Sequence, residues 1–135
     1  MSSYTILVME DNEDINLLTK ATLSFKGYNV LTSFNGEDGL KLLDSNDVDL
    51  VLLDVMMPDM DGWEVYHQLK ADENTKNIPV IVITAKAQNI DKVLGLHIAK
   101  VDDYISKPFS PKDLIASIDR IFENIPGAHP GDTTE

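Results

Sequence analysis

Cysteine is missing from the 135-residue chain, which leaves no disulfide framework and suits a reducing cytoplasm, the location expected for it. Also missing is any apolar run near the roughly 20 residues of a membrane span. The first strand-like run, Tyr4–Met9, begins without the basic region and cleavage site of a secretory signal. The chain is therefore expected to stay in water, away from membranes. Basic residues are few: 11 Lys and Arg stand against 23 Asp and Glu, a formal charge of -12. Such a charge repels the phosphate backbone of nucleic acid, so direct DNA binding by this chain is not expected, and its everyday effect is solubility.

What remains is an ordinary globular composition, 43% hydrophobic and 25% charged, at a length that suits one domain burying roughly two-thirds of its unfolded surface. Tyr4–Met9, Val48–Leu53 and Pro79–Ile83 are short, nearly continuous apolar runs, the pattern of parallel strands covered on both faces. Tyr28–Ser33 and Asp103–Ser106 supply two more. Between the strands lie helical periods. Ile15, Leu18, Thr22 and Phe25 form the first, ended by Gly27; Leu40 and Leu43 mark the second; Trp63, Tyr66 and Leu69 mark the third. In the last, Leu114, Ile115, Ile118, Ile121 and Phe122 recur at helical spacing behind Ser110 as N-cap and Pro111 at the first helical position. Five strands alternating with five helices predict an α/β fold, a flavodoxin-like doubly wound parallel sheet of order 2-1-3-4-5. Residues 1–124 form this domain, and 125–135 read as a flexible tail or truncated linker.

In such sheets ligands bind beyond the carboxyl ends of the strands. Here those ends are polar: the first strand runs into Glu10 and Asp11, the third into Asp54, the fourth into Thr84, and the fifth into Ser106, Lys107 and Pro108. Three carboxylates so close repel one another unless a cation joins them or a pKa rises. A hard divalent ion resolves the conflict, and magnesium suits a site of a few carboxylates, a carbonyl and a phosphate oxygen. Phosphoryl transfer needs positioning and charge neutralisation, which Lys107 and Thr84 can provide. Singly, each residue reads as a turn former, an N-cap or a surface lysine. Four strand ends converging on one chemistry outweigh those separate readings.

The segments Ile6-Leu7-Val8-Met9-Glu10-Asp11-Asn12, Leu52-Leu53-Asp54-Val55-Met56-Met57-Pro58-Asp59-Met60-Asp61-Gly62, Ile83-Thr84-Ala85-Lys86 and Asp102 through Phe109 closely resemble the receiver domains of two-component response regulators. The resemblance spans roughly residues 4–123. It implies a phospho-acceptor signalling switch, not a metabolic enzyme, whose own chemistry is limited to gaining and losing the aspartyl phosphate. Asp54 would be the acceptor, Glu10, Asp11 and Asp54 the Mg2+ acids, and the Met56 carbonyl a further ligand. Lys107 would bind the phosphoryl group, while Thr84 and Tyr104 would form the switch that reports it. The implied donor is a histidine kinase or histidine phosphotransfer protein, and the implied target a downstream effector domain or protein.

The segments Ile90–Leu96 and Phe109–Leu114 resemble the subclass that carries a winged-helix DNA-binding domain. Lys92 and Asp113 keep one of the charge pairs that its dimers use, but His97 replaces a usual acid and Ser117 a usual arginine. A monomer, or a weak phosphorylation-dependent dimer, is therefore expected. Gly39 stands where alanine is common, softening the second helix by about 1 kcal/mol. Trp63 reads as packing at the start of the third helix, the Met56, Met57 and Met60 cluster as loop contacts, and His67 and His97 as surface residues. Two rivals are weaker. A non-phosphorylated interaction module would not need the complete acceptor, acids, threonine and lysine. A flavodoxin-like carrier or small phosphatase would want a Ser/Thr/Gly-rich phosphate loop, a GxxxxGK[ST] motif, or an Asp where Asn12 stands.

Overall fold

Strand and helix alternate through the computed structural model, which describes residues 4–57, 62–85 and 102–123. The elements are β1 (Thr5–Met9), α1 (Glu13–Phe25), β2 (Asn29–Ser33), α2 (Gly36–Ser45), β3 (Leu50–Asp54), α3 (Gly62–Ala71), β4 (Val80–Ala85), β5 (Asp103–Lys107) and α4 (Pro111–Glu123). All strands are parallel and stand in the order β2-β1-β3-β4-β5, as expected. The helix expected between the fourth and fifth strands, with Lys86, Lys92 and His97, lies outside the described residues. So do Met60 and the tail at 125–135. No described helix is long and apolar enough to cross a membrane.

The apolar runs become strands because both faces of the sheet are covered, and their period of two then sorts each run into two cores. Leu7, Met9, Val51, Leu53, Val80 and Val82 point to one side, where Leu43 of α2 and Val65, Tyr66 and Leu69 of α3 complete the packing. Ile6, Val8, Leu50, Leu52, Ile81, Ile83 and Ile105 point to the other, against Leu23 of α1 and Leu114, Ile118 and Phe122 of α4. Every residue of β3 is buried. Strand ends shift by a residue or two from the sequence reading. The shift that matters is Asp54, which is the last residue of β3 and pairs with Ile83.

Helix starts follow the capping rules. The Asn12 side chain accepts from the Ile15 amide at 3.0 Å, Asn35 accepts from the Asp38 amide at 2.7 Å, and Ser110 Oγ accepts from the Asp113 amide at 3.1 Å. The face of α1 differs from the one its apolar period predicts. Asn16, Thr19 and Leu23 are the buried residues, whereas Leu18 is 52% and Phe25 91% exposed. Apolar period reports which residues are oily, not which face meets the sheet. Here the sheet-facing side carries an asparagine that the strand ends require. The oily stripe lies instead beside a surface groove of about 650 Å3 between α1 and α4, lined by Ala21, Thr22, Phe25, Pro111, Ile115 and Ala116 among others. Met57 also departs from a loop role, being 4% exposed within the α2–α3 core. Trp63 packs against the same core and meets Tyr66 edge to face, and His67 is exposed.

Two glycines make close contacts that the sequence conceals. A Cβ on Gly62 would sit 2.2 Å from the Val55 Cα, a backbone atom that cannot yield. A Cβ on Gly39 would meet only the Met9 side chain, 2.7 Å from its terminal methyl. Gly39 thus makes room for Met9 as well as softening α2. Gly62→Ala is expected to cost about 3 kcal/mol by overpacking. Gly39→Ala, where helix propensity offsets the displaced thioether, should stay within about 1 kcal/mol of neutral. Urea unfolding of both variants checks the contrast; equal losses would contradict it.

Candidate functional site: an acidic cluster at the carboxyl edge of the sheet

The parallel sheet brings residues distant in sequence to one edge. Glu10 directly follows β1, and its amide donates to the Ser33 carbonyl at 3.1 Å. Asp54 ends β3 and Lys107 ends β5, the latter in register with Ala85. Ligand oxygens of Glu10, Asp11 and Asp54 lie within 4.8 Å of one another. Lys107 bridges two of these acids. Its Nζ is 2.9 Å from Glu10 Oε1, donates to Glu10 Oε2 at 3.0 Å and donates to Asp54 Oδ2 at 2.9 Å. The cis peptide between Lys107 and Pro108 follows immediately.

Backbone amides complete the fixing of both buried carboxylates, each 1% exposed. Asp54 Oδ1 accepts from the Met56 amide at 2.8 Å, and Glu10 Oε2 accepts from the Asn12 amide at 3.0 Å. Burial pushes the Glu10 carboxyl up to about 7. Its bonds to Lys107 and Asn12 pull the other way, and the Asp54 charge adds to the rise. For Lys107, burial alone would lower the pKa, but the bonds to Glu10 and Asp54 outweigh it and hold the ammonium above its ordinary value.

One ammonium does not balance three carboxylates. Glu10 Oε1 is buried, pairs with the Lys107 ammonium and accepts no hydrogen bond among the described residues. Asp11 has neither a hydrogen bond nor an ion pair among the described residues. An all-oxygen donor set with unspent acceptor capacity and surplus negative charge fits a hard divalent cation. The Met56 carbonyl belongs to the same turn, although the Met56 side chain is exposed.

The structure therefore gathers Glu10, Asp11, Asp54 and Lys107 and places Met56 beside them. Thr84 pairs with Ser106 and Tyr104 with Val82, so Thr84 and Tyr104 share one face of the sheet, two residues apart in register. Thr84 is half-buried and Tyr104 is 45% exposed. Sequence reading missed two polar supports. Asn16 donates from buried Nδ2 to the carbonyls of Glu10 and Ser33. Asp103 receives Ser117 Oγ and the Arg120 guanidinium, tying β5 to α4. Burial alone would raise the Asp103 pKa, but these bonds and that of the Tyr104 amide hold it below the usual range. A polar residue within an apolar helix period was the only signal for either support.

Comparison with known proteins agrees with this geometry. The chain is 42% identical over 116 residues to the alkaline phosphatase synthesis transcriptional regulatory protein PhoP of Bacillus subtilis, covering 86% of this chain and 47% of that protein. It is 42% identical over 113 residues to the transcriptional regulatory protein CpxR of Escherichia coli K12, covering 84% and 47% respectively. The chain thus spans about half the length of these relatives. Among solved structures, the receiver domain of sensor histidine kinase PA1611 from Pseudomonas aeruginosa PAO1, with a magnesium ion in its active site cleft, superposes with a TM-score of 0.78 at 29% identity. That match covers 88% of this chain and 97% of the other. The signal receiver domain of a histidine kinase from Syntrophus aciditrophicus gives 0.83 at 29% identity, covering 95% and 96%. Residues 6–119 match the response regulator receiver domain, and the chain belongs to that family of two-component signalling domains.

Proposed function

We propose that this domain takes a phosphoryl group from a histidine kinase or histidine phosphotransfer protein onto Asp54. The observation that carries this reading is the bridging of Glu10 and Asp54 by Lys107, with Asp11 alongside, at the carboxyl edge of the sheet. An Asp54 carboxylate oxygen forms the new P–O bond as the P–N bond to the donor histidine breaks. The imidazole leaves with the bonding electrons and takes a proton from water. The Met56 amide on Oδ1 and Lys107 on Oδ2 orient the carboxylate for this attack. After transfer, the Lys107 ammonium pairs with the phosphoryl oxygens.

Glu10, Asp11, Asp54 and the Met56 carbonyl would hold magnesium, which when bound neutralises charge on the phosphoryl oxygens. The ion in the Pseudomonas receiver supports the same ion here. Thr84 and Tyr104 act as the switch: the phosphoryl group draws the Thr84 hydroxyl inward and the Tyr104 ring turns into the vacated space. Residues 1–124 are the receiver and 125–135 a tail or linker. The output is a downstream effector in the cytoplasm, and the transcriptional roles named for the relatives favour a winged-helix DNA-binding one. The domain is a monomer or associates weakly on phosphorylation.

Acetyl phosphate with magnesium should add the mass of one phosphoryl group, and Asp54→Asn should abolish the gain; a gain that survives in Asp54→Asn overturns the assignment. Magnesium should also stabilise the fold, by about 2.7 kcal/mol at a hundredfold excess over Kd. Asp11 repels its neighbours without any bond to offset the repulsion, so Asp11→Asn should melt higher than the parent in EDTA yet gain less from magnesium. Thermal unfolding with and without the ion tests this. A variant that melts lower in EDTA and keeps the full gain contradicts it.

The exposed Leu18 and Phe25, with half-buried Thr22 between them, lie beside the α1–α4 groove and offer a helical donor protein an apolar footing. Phe25→Glu should therefore slow phosphotransfer from the donor kinase about tenfold or more, since an exposed aromatic anchor is worth over 1 kcal/mol. The rate from acetyl phosphate should not change. Equal slowing with both donors would place the effect in the fold instead.

A further inference from the structure

Asn16 is 1% exposed on the sheet-facing stripe of α1, a position where a helix normally spends an apolar residue. Its environment accounts for the exception. The β1–β2 ladder ends at Met9 and Ser33; past it the Ser33 carbonyl accepts from the Glu10 amide, and the Glu10 carbonyl lies beyond the ladder. Asn16 Nδ2 donates to the Glu10 carbonyl at 3.0 Å and to the Ser33 carbonyl at 3.1 Å. One NH2 group carries two hydrogens in a fixed fork, so a single side chain satisfies both.

The same turn is closed from its other end. The Asn16 amide donates to the Asn12 carbonyl at 2.9 Å, and the Asn12 amide donates to Glu10 Oε2 at 3.0 Å. Residues 10 to 16 thus form a ring of hydrogen bonds in which Glu10 is gripped by its carbonyl and by its carboxylate. Asp11 lies inside that ring, with no bond of its own to fix it. Its carboxylate position relative to Asp54 depends on the backbone that Asn16 holds.

We propose that Asn16 is a positioning residue for the cation site: its amide fixes the Glu10–Asp11 turn so that these carboxylates meet Asp54 at ligand distance. This rests on the metal-site reading above and adds a residue that touches neither cation nor phosphoryl group. Asn16→Leu keeps the volume and removes the donors. Leu23→Ala, on the same buried stripe but outside the ring, is the control for lost stability alone.

Magnesium titrations of the folded proteins by calorimetry, at a temperature well below each melting point, read the effect directly. Asn16→Leu should raise the half-saturating magnesium concentration about tenfold, as loss of a supporting hydrogen bond around metal ligands does. Leu23→Ala should match the parent even though it melts lower. Asn16→Ser, which keeps one donor, should fall between, and it carries the test if the leucine variant does not fold. Half-saturation unchanged in the Asn16 variants, or raised as much in Leu23→Ala, overturns the proposal while leaving the metal site standing. A parent protein with no magnesium response removes the metal site itself.

Discussion

The ammonium of Lys107 lies within 3.0 Å of both the Glu10 and Asp54 carboxylates, and those acids are buried where an isolated charge would be costly. That cation offsets the repulsion between Glu10 and Asp54 where three strand ends converge at the sheet edge. With it, the site is held together but left short of positive charge. Burial pushes Glu10 up to about 7, and the nearby Asp54 charge adds to the rise. A site built in this way is fixed in place yet keeps surplus negative charge, as the proposed divalent ion and phosphoryl group require.

The sheet that delivers these residues is plain in its packing. Alternate positions along each strand fill two separate apolar cores. Several polar residues of the interior serve backbone groups or a neighbouring charge. Asn16 serves strand-end carbonyls, Ser117 serves Asp103, and Thr75 Oγ1 serves the Leu69 carbonyl. Each satisfies a group that apolar packing would have stranded.

The surface divides the labour. The carboxyl edge holds the chemistry, the α1–α4 side carries an oily stripe, and β5 carries Tyr104 next to the Asp103–Ser117–Arg120 link. That link ties β5 to α4 within one chain, occupying groups that could otherwise have served a partner.

The sequence by itself determined the strand runs, their order, the cap Ser110, and the polar residues at the strand ends, because each depends on local pattern or on the rule that parallel strands share one carboxyl edge. Glu10, Asp11, Asp54 and Lys107 could be named together on that ground alone. Tertiary structure decided what local pattern does not encode. Which face of α1 is buried depends on the strand-end carbonyls of Glu10 and Ser33, which accept from the Asn16 amide, so Asn16 goes inside and Phe25 outside. Gly62 depends on the approach of Val55, and the pairing of Asp103 with Ser117 and Arg120 depends on how β5 meets α4. Such contacts join positions through space, and no spacing along the chain announces them.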